Sequence, residues 1–513
     1  MANPSLQIGN DNWAIKEDNL LGYSTAGTRF VPQPITMTRA TLGTRVNPDG
    51  LVEDVALLGS EEVVNGDFEL NSDWNNFGTP TTSEQSTEQS HTGNYSWKII
   101  ADATQEGIFS PNNFTLTSGL QYTVSLWIYS VSGDSIKSGL NNTNVSVFTE
   151  RTVIAGQWTN ITYEATATST GASYISILSQ NSLNFYVDNV SIKEYTIDNL
   201  PRVDYTDGTS SLLVEPQRTN LVTYSEDFSQ WDTIESTLTA NYGISPDGTQ
   251  NSTRCVFSGS NQQLRDSITT SSSSTGSIYV KGISGETIKF GVKNSESLFT
   301  LNGEWQRIEK QGTETSNIIV INTYSSATAR DIQVWGAQVE DGSYPTSYIK
   351  TSGSTVTRNQ ETYEKTGISD LINSEEGVLF VEMAALSDDV TERFISLSDG
   401  SLSNRVYIQF TTTTNQIKMG VTKGGSTQAS RPETVSDVTE FNKLAISYSQ
   451  DLFKFYVNGN LVFTDSSGDT FTANTLNRLN FDVGTSGFSK FFGKVKQLQV
   501  FKTTDIDLAA LTS

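Results

Sequence analysis

Apolar residues recur in one unusual spacing at three places along the chain. In FYVDNVSIKEY, Phe185 to Tyr195, the residues Val187, Val190 and Ile192 stand three and then two positions apart. The same intervals fall on Val334, Ala337 and Val339 in IQVWGAQVE, and on Val495, Leu498 and Val500 in GKVKQLQVF. A strand that buries one face places apolar residues at every second position, so the interval of three is a one-residue slip in the alternation. A β-bulge is the physical device for such a slip. The copies lie 147 and 161 residues apart, the length of a β-sandwich domain, and each reads as a closing strand.

Around these strands the pattern predicts an all-β chain: three tandem, jelly-roll-like β-sandwiches preceded by an extended N-terminal arm. Residues 1–60 are punctuated by Pro and Gly and read as an arm that attaches the protein to something else. The first sandwich is expected over 61–196, with YTVSLWIYS (122–130) as a half-buried strand in which Val124, Leu126 and Ile128 share one face. A return segment follows at 197–219 and a second sandwich at 220–350. The second reads as a divergent copy of the first, since Phe68 with Trp74 resembles Phe228 with Trp231. In addition, Trp158 and Trp305 each lie 29 residues before the closing-strand valine, and this shared register predicts a core role for both. Residues 351–374 read as a linker and 375–513 as the third sandwich. There Asn458-Gly459 predicts a tight hairpin, and DIDLAALT predicts a terminal helical turn.

Composition narrows the partners. With 33 basic and 57 acidic residues the net charge is −24, which opposes binding to nucleic acid or to anionic membrane surfaces and is compatible with neutral glycans or other proteins. A single cysteine, Cys255, removes any internal disulfide framework and suits folding in a reducing cytoplasm. The first residues show no signal-peptide pattern, and no apolar run is long enough to span a bilayer.

Three stretches carry a family resemblance: RATLGTRVNPDGLVEDVA (39–56), LPRVDYTDGTSSLLVEPQRTNLVTYSEDFSQW (200–231) and WGAQVEDGSYPTSYIKTSGSTVTRNQE (335–361). They resemble a module of bacteriophage virion proteins, notably tail fibres and related appendages. The first two usually adjoin in that family, so the first sandwich looks inserted between them. That sandwich in turn resembles jelly-roll carbohydrate-binding modules through NGDFE, LWIYS and FYVDNVSIKE. The third resembles the concanavalin A-like and laminin-G-like group through NKLAISYSQDLFKFYVNGNLV.

The residues offer little for catalysis. His91 is the only histidine and lies in the loop QSHTGN, and no phosphate-binding glycine motif is present. Sugar recognition on a sandwich calls for flat aromatic faces with polar groups at their edges. Trp127, Trp97 and Trp74 are the candidates, with Trp127 foremost because it has opposite parity to Leu126 and Ile128. Jelly rolls of the resembled kind often carry a structural Ca²⁺, and Asp67, Glu69 and Asp188 occupy suitable stretches for oxygen ligation. Asn94 and Asn113 fit a glycosylation pattern but read as polar strand composition. The expectation is a non-enzymatic tail or head fibre that assembles in the host cytoplasm and acts outside the cell as part of the virion. It would bind other virion proteins through its arm and host-surface glycans through its sandwiches, as a homo-oligomer such as a trimer. The alternatives are a purely structural decoration or assembly protein and a polysaccharide depolymerase.

Overall fold

The computed structural model describes the chain except residues 1–2, 11–12, 14, 17–18, 27–28, 112–113, 143–144, 271–272, 293, 313–317, 325–327 and 486. Asn113 lies outside the described residues. Strands hold 55% of the chain and helix 1%, so the fold is all-β and built of β-sandwich sheets. Two compact units are present, Ala56–Ile197 in one and Met1–Val55 with Asp198–Ser513 in the other.

All nine residues of the recurring pattern are buried in sandwich cores. In each copy the ladder slips at the place where the spacing does. Along the first closing strand, Leu183–Thr196, the register with Gln121–Ser130 shifts between Trp127↔Asp188 and Ser125↔Ser191. Along Arg330–Asp341 it shifts between Tyr279↔Trp335 and Ser277↔Gln338. Along Gly493–Phe501 it shifts between Met383↔Val495 and Glu382↔Gln497. The extra residue takes positive φ in the first two, at Asn189 (48°) and Gly336 (62°), residue types that tolerate the left-handed region best.

The first and second sandwiches share one topology. The first has sheets ordered Trp158–Thr166, Gln121–Ser130, Leu183–Thr196, Ser96–Ala101, Thr82–Ser86 and Val145–Val153, Asp134–Asn142, Gly171–Ser179, Gly107–Phe109, Asn75–Phe77. The second repeats both orders with Gln306–Gly312, Ser274–Gly282, Arg330–Asp341, Gln250–Phe257, Ser236–Ile244 and Ser297–Thr300, Thr287–Val292, Ile318–Asn322, Gln263–Ser267, Asp232–Ile234. The matched aromatic pairs Phe68–Trp74 and Phe228–Trp231 both have ring centroids 4.9 Å apart.

The N-terminal segment is not a free arm. Strand Leu6–Gly9 pairs along Gln497–Val500 of the last closing strand, and Ser211–Val214 pairs with Gly493–Val495 on that same edge. Leu6, Ile8, Leu20, Ile35 and Met37 are buried in the core of the third sandwich, which accounts for their apolar character. Arg29–Thr38 pairs with Asn19–Ala26 on one side and with Thr362–Thr366 on the other, so the segment read as a linker also contributes a strand. The 60/61 boundary falls at the end of a strand, Leu57–Glu61, that pairs with the first closing strand. In the third sandwich Asn458 and Gly459 both have positive φ, 47° and 83°, in the turn between Leu452–Val457 and Asn460–Asp465. A helical turn, Leu508–Leu511, is capped by Asp507.

The stretches 39–56, 200–231 and 335–361 meet in a buried ionic cluster. Arg202 grips Glu361 through two bonds of 2.7 Å and also pairs with Glu215. Arg39 closes on Glu361, and Arg358 lies 3.1 Å from Glu215. The side chains of all five residues are at most 3% exposed. Ser347 donates to Glu215 through both its N–H and its hydroxyl. Burial works to raise the Glu215 carboxyl, but Arg358, Arg202 and Ser347 outweigh it and hold it well below the usual range.

Candidate functional site

In the first sandwich Trp74 and Trp97 are core residues, not surface platforms. Each is 7% exposed and packs against Phe68, at 4.9 and 5.9 Å between ring centroids. Trp127 does face away from the core, as its parity requires, and stands half-buried on the outer face of its sheet. His91 lies flat on it, with ring centroids 3.8 Å apart and planes 16° apart, so one face of the indole is already covered. Trp158 belongs to this outer group as well, 5.6 Å from His91 and 5.8 Å from Tyr129. The core role expected for it from its register therefore does not hold. It opens an edge strand on the outward side.

The loop that carries His91 is pinned by two carboxylates. Asp188, fully buried, accepts from the backbone N–H of His91 (2.7 Å), Thr92 (3.2 Å) and Asn189 (2.7 Å). Burial raises its carboxyl above the ordinary value, opposed by these three bonds. Glu69 accepts from the N–H of Asn94 (2.7 Å) and Tyr95 (2.9 Å), and these two bonds hold its carboxyl below the ordinary value. Asp67 is exposed. Among the described residues no group of three His, Cys, Asp or Glu is arranged to hold a metal ion. Asp67, Glu69 and Asp188 are thus not brought together as one ligand set among the described residues.

The second sandwich covers the equivalent face in another way. Tyr279 takes the place of Trp127, and Trp335 that of Asp188. With Tyr348 and Trp305 they pack against Val46 and Val52 from the paired strands Thr44–Val46 and Val52–Asp54. The loop over this face is shorter, 245–249 against 87–95, and the Val52 N–H bonds to the Pro246 carbonyl at 2.9 Å. A long loop partly covers one copy, and an apolar hairpin packs over the other.

The opposite sheet of the first sandwich carries a different aromatic group. Ile108, Ile175 and Ile177 point into the core, so Phe109 and Tyr174, one position away in their strands, point out. Phe77, Phe109 and Tyr174 are all half-buried and stand edge to face, with centroids 6.2 Å apart (Phe77–Phe109) and 5.7 Å apart (Phe109–Tyr174). Next to Phe109 the register sets Ser176 and then Gly139, and next to Tyr174 it sets Asn141. The Asn141 amide donates to the Ser176 hydroxyl at 3.1 Å. The rings thus project beside small, buried residues and present apolar faces of the kind on which the C–H face of a sugar stacks. Among the described residues of the second sandwich, the same register positions hold Ile234, Arg265 and Ile318 in place of the three rings. A focus on tryptophan misses these three residues. The signal that finds them is an aromatic residue of outward parity in a strand whose inward positions are isoleucine.

Residues 60–181 match the model of a carbohydrate binding domain, and residues 379–504 match that of the concanavalin A-like lectin/glucanases superfamily. The chain is 26% identical over 148 residues to endo-1,4-beta-xylanase Y of Acetivibrio thermocellus, covering 26% of this chain and 14% of the xylanase. Among solved structures, the CBM22-1–CBM22-2 tandem of Paenibacillus barcinonensis Xyn10C is 11% identical, covering 56% of this chain and 98% of that one at a TM-score of 0.24. The CBM22-1–GH10 modules of Clostridium thermocellum xylanase 10B, complexed with xylohexaose, are 22% identical, covering 26% and 29% at a TM-score of 0.24. The protein therefore contains a carbohydrate-binding-type module and a concanavalin A-like module, and its likeness to the xylanase is confined to the former.

Proposed function

We propose that the protein is a non-enzymatic glycan-binding appendage of a bacteriophage virion, and that it binds host-surface polysaccharide through the Phe77–Phe109–Tyr174 face. The observation that carries the glycan half is the coincidence of that face with the carbohydrate-binding-domain match over 60–181. The virion half rests on the resemblance of stretches 39–56, 200–231 and 335–361 to phage appendage modules. Weak sites of this kind gain avidity when several copies are presented together, which suits an oligomeric fibre. Attachment to the particle then falls to a surface other than a free N-terminal arm, since Leu6, Ile8, Leu20, Ile35 and Met37 are buried in the third sandwich and Val52 against the second.

A glycan array probed with the full chain tests the binding half. The similarity to an endo-1,4-beta-xylanase makes neutral β-1,4-linked polysaccharides the first probes. Binding that falls at least tenfold in Tyr174→Ala supports the assignment, and silence toward every polysaccharide on the array overturns it. Immunolabelling of particles tests the virion half, and absence of the protein from purified virions would remove it.

A further inference from the structure

The closing strand of the second sandwich, Arg330–Asp341, carries two buried polar side chains that sugar binding does not use. Val334, Ala337 and Val339 point into the core, so Gln338 and Glu340, in the positions between and beyond, share the opposite face. The segment 344–349 lies across that face and sets Thr346 on it. Gln338 and Glu340 are fully buried, and Thr346 is 2% exposed. The Thr346 hydroxyl donates to one oxygen of the Glu340 carboxylate, and the Thr346 N–H donates to the other at 2.7 Å. The Gln338 amide nitrogen donates to the carbonyls of Thr346 (3.4 Å) and Ser347 (3.3 Å), while its amide oxygen accepts the Ile349 N–H at 2.6 Å.

Packing alone does not call for this set. Both hydrogen bonds of the Glu340 carboxylate go to Thr346, it joins no ion pair among the described residues, and a buried carboxylate held in that way is costly. The first sandwich holds Ser191 and Lys193 at the corresponding register positions, so the topology requires neither the amide nor the acid. A hydroxyl on a carboxylate is a nucleophile with its base, and an amide oxygen on an N–H is a polarised electrophile. We propose that Thr346 and Gln338 become joined by an ester that the chain forms by itself. Thr346 Oγ1 attacks Gln338 Cδ as its proton passes to Glu340, and the Ile349 N–H stabilises the negative charge that develops on Oε1. The Cδ–Nε2 bond then breaks, the nitrogen takes the proton back from Glu340, and ammonia leaves. The balance needs no co-reactant. Burial keeps out the water that would hydrolyse the product. The ester ties the closing strand to the segment through which Ser347 joins the buried ionic cluster.

Mass spectrometry of the purified full chain tests it. The tryptic peptide 331–350 contains both residues and is expected about 17 Da below its sequence mass, the loss of one ammonia, with no fragment ions from inside the loop 338–346. Alkaline hydroxylamine opens the ester in the unfolded chain. Thr346→Ser keeps the hydroxyl and the loss, whereas Thr346→Val and Glu340→Gln return the peptide to its full mass with the circular dichroism spectrum unchanged. A wild-type peptide at its full sequence mass overturns the assignment, and so does a loss of ammonia that survives Thr346→Val.

Discussion

The Asp188 carboxylate spends its acceptors on three backbone N–H groups, two of them in the loop that lays His91 on Trp127. Asp188→Ala leaves those partly buried donors without their acceptor and is expected to destabilise the first sandwich by about 1–2 kcal/mol. Urea unfolding measures the loss, and a red shift of tryptophan emission reports the uncovering of Trp127. Trp127→Ala, on the partly covered face, is expected to lower stability while leaving polysaccharide binding unchanged, the reverse of Tyr174→Ala. An affinity measurement on both variants separates the two faces. The outward parity of Trp127 was legible because its neighbours Leu126 and Ile128 alternate with it. Its covering was not legible, since the loop is fixed by bonds across about 97 residues of sequence. Phe109 and Tyr174 are harder to read for a different reason: neither strand contains a tryptophan, and that of Phe109 is only three residues long.

At the scale of the element, the slipped closing strand could be read directly, because a bulge changes the parity of every apolar residue beyond it. The left-handed residue in the slip was also constrained in type. Asn189→Val forces a β-branched side chain to φ near 48° and is expected to cost about 1–2 kcal/mol, measured by denaturant unfolding. Gly336→Ala belongs to the same class, with its new Cβ 3.2 Å from the Tyr279 ring. The N-terminal strand could not be read in this way. LQIG is four residues long, and its partner lies some 490 residues downstream, so no local pattern announces the pairing. Leu6→Ala and Ile8→Ala each empty a fully buried position in the core of the third sandwich and are expected to cost about 2–5 kcal/mol apiece. A free arm would tolerate both changes.

For the whole molecule, the sequence showed which stretches belong together but not what joins them. The resemblance of 39–56, 200–231 and 335–361 to one module became structural sense only when Arg39, Arg202, Glu215, Arg358 and Glu361 were found in a single buried cluster. Charges so separated in sequence look like ordinary surface residues one at a time. Glu361 bridges two arginines and accepts the Glu215 N–H, so Glu361→Ala leaves the buried Arg39 without a counter-charge and Arg202 with Glu215 alone, and is expected to cost about 3–5 kcal/mol. Burial pushes the Glu361 carboxyl up, but Arg202 and Arg39 outweigh it and hold the group below its ordinary value of 4.5, as Glu215 is also held. For a carboxyl depressed in the folded state, the stabilisation is complete above the unfolded value and is lost as pH falls through the folded one. Stability of the unit formed by Met1–Val55 and Asp198–Ser513 should therefore decline below about pH 4.5. Glu361→Ala should flatten that decline while lowering the plateau above it, because one titrating carboxyl is gone. Urea midpoints across pH 2.5–7, followed through the fluorescence of Trp231, Trp305 and Trp335 in a chain whose other tryptophans are phenylalanine, measure both effects. A wild-type plateau that ran unchanged through pH 3 would show that the cluster does not hold its carboxylates ionised.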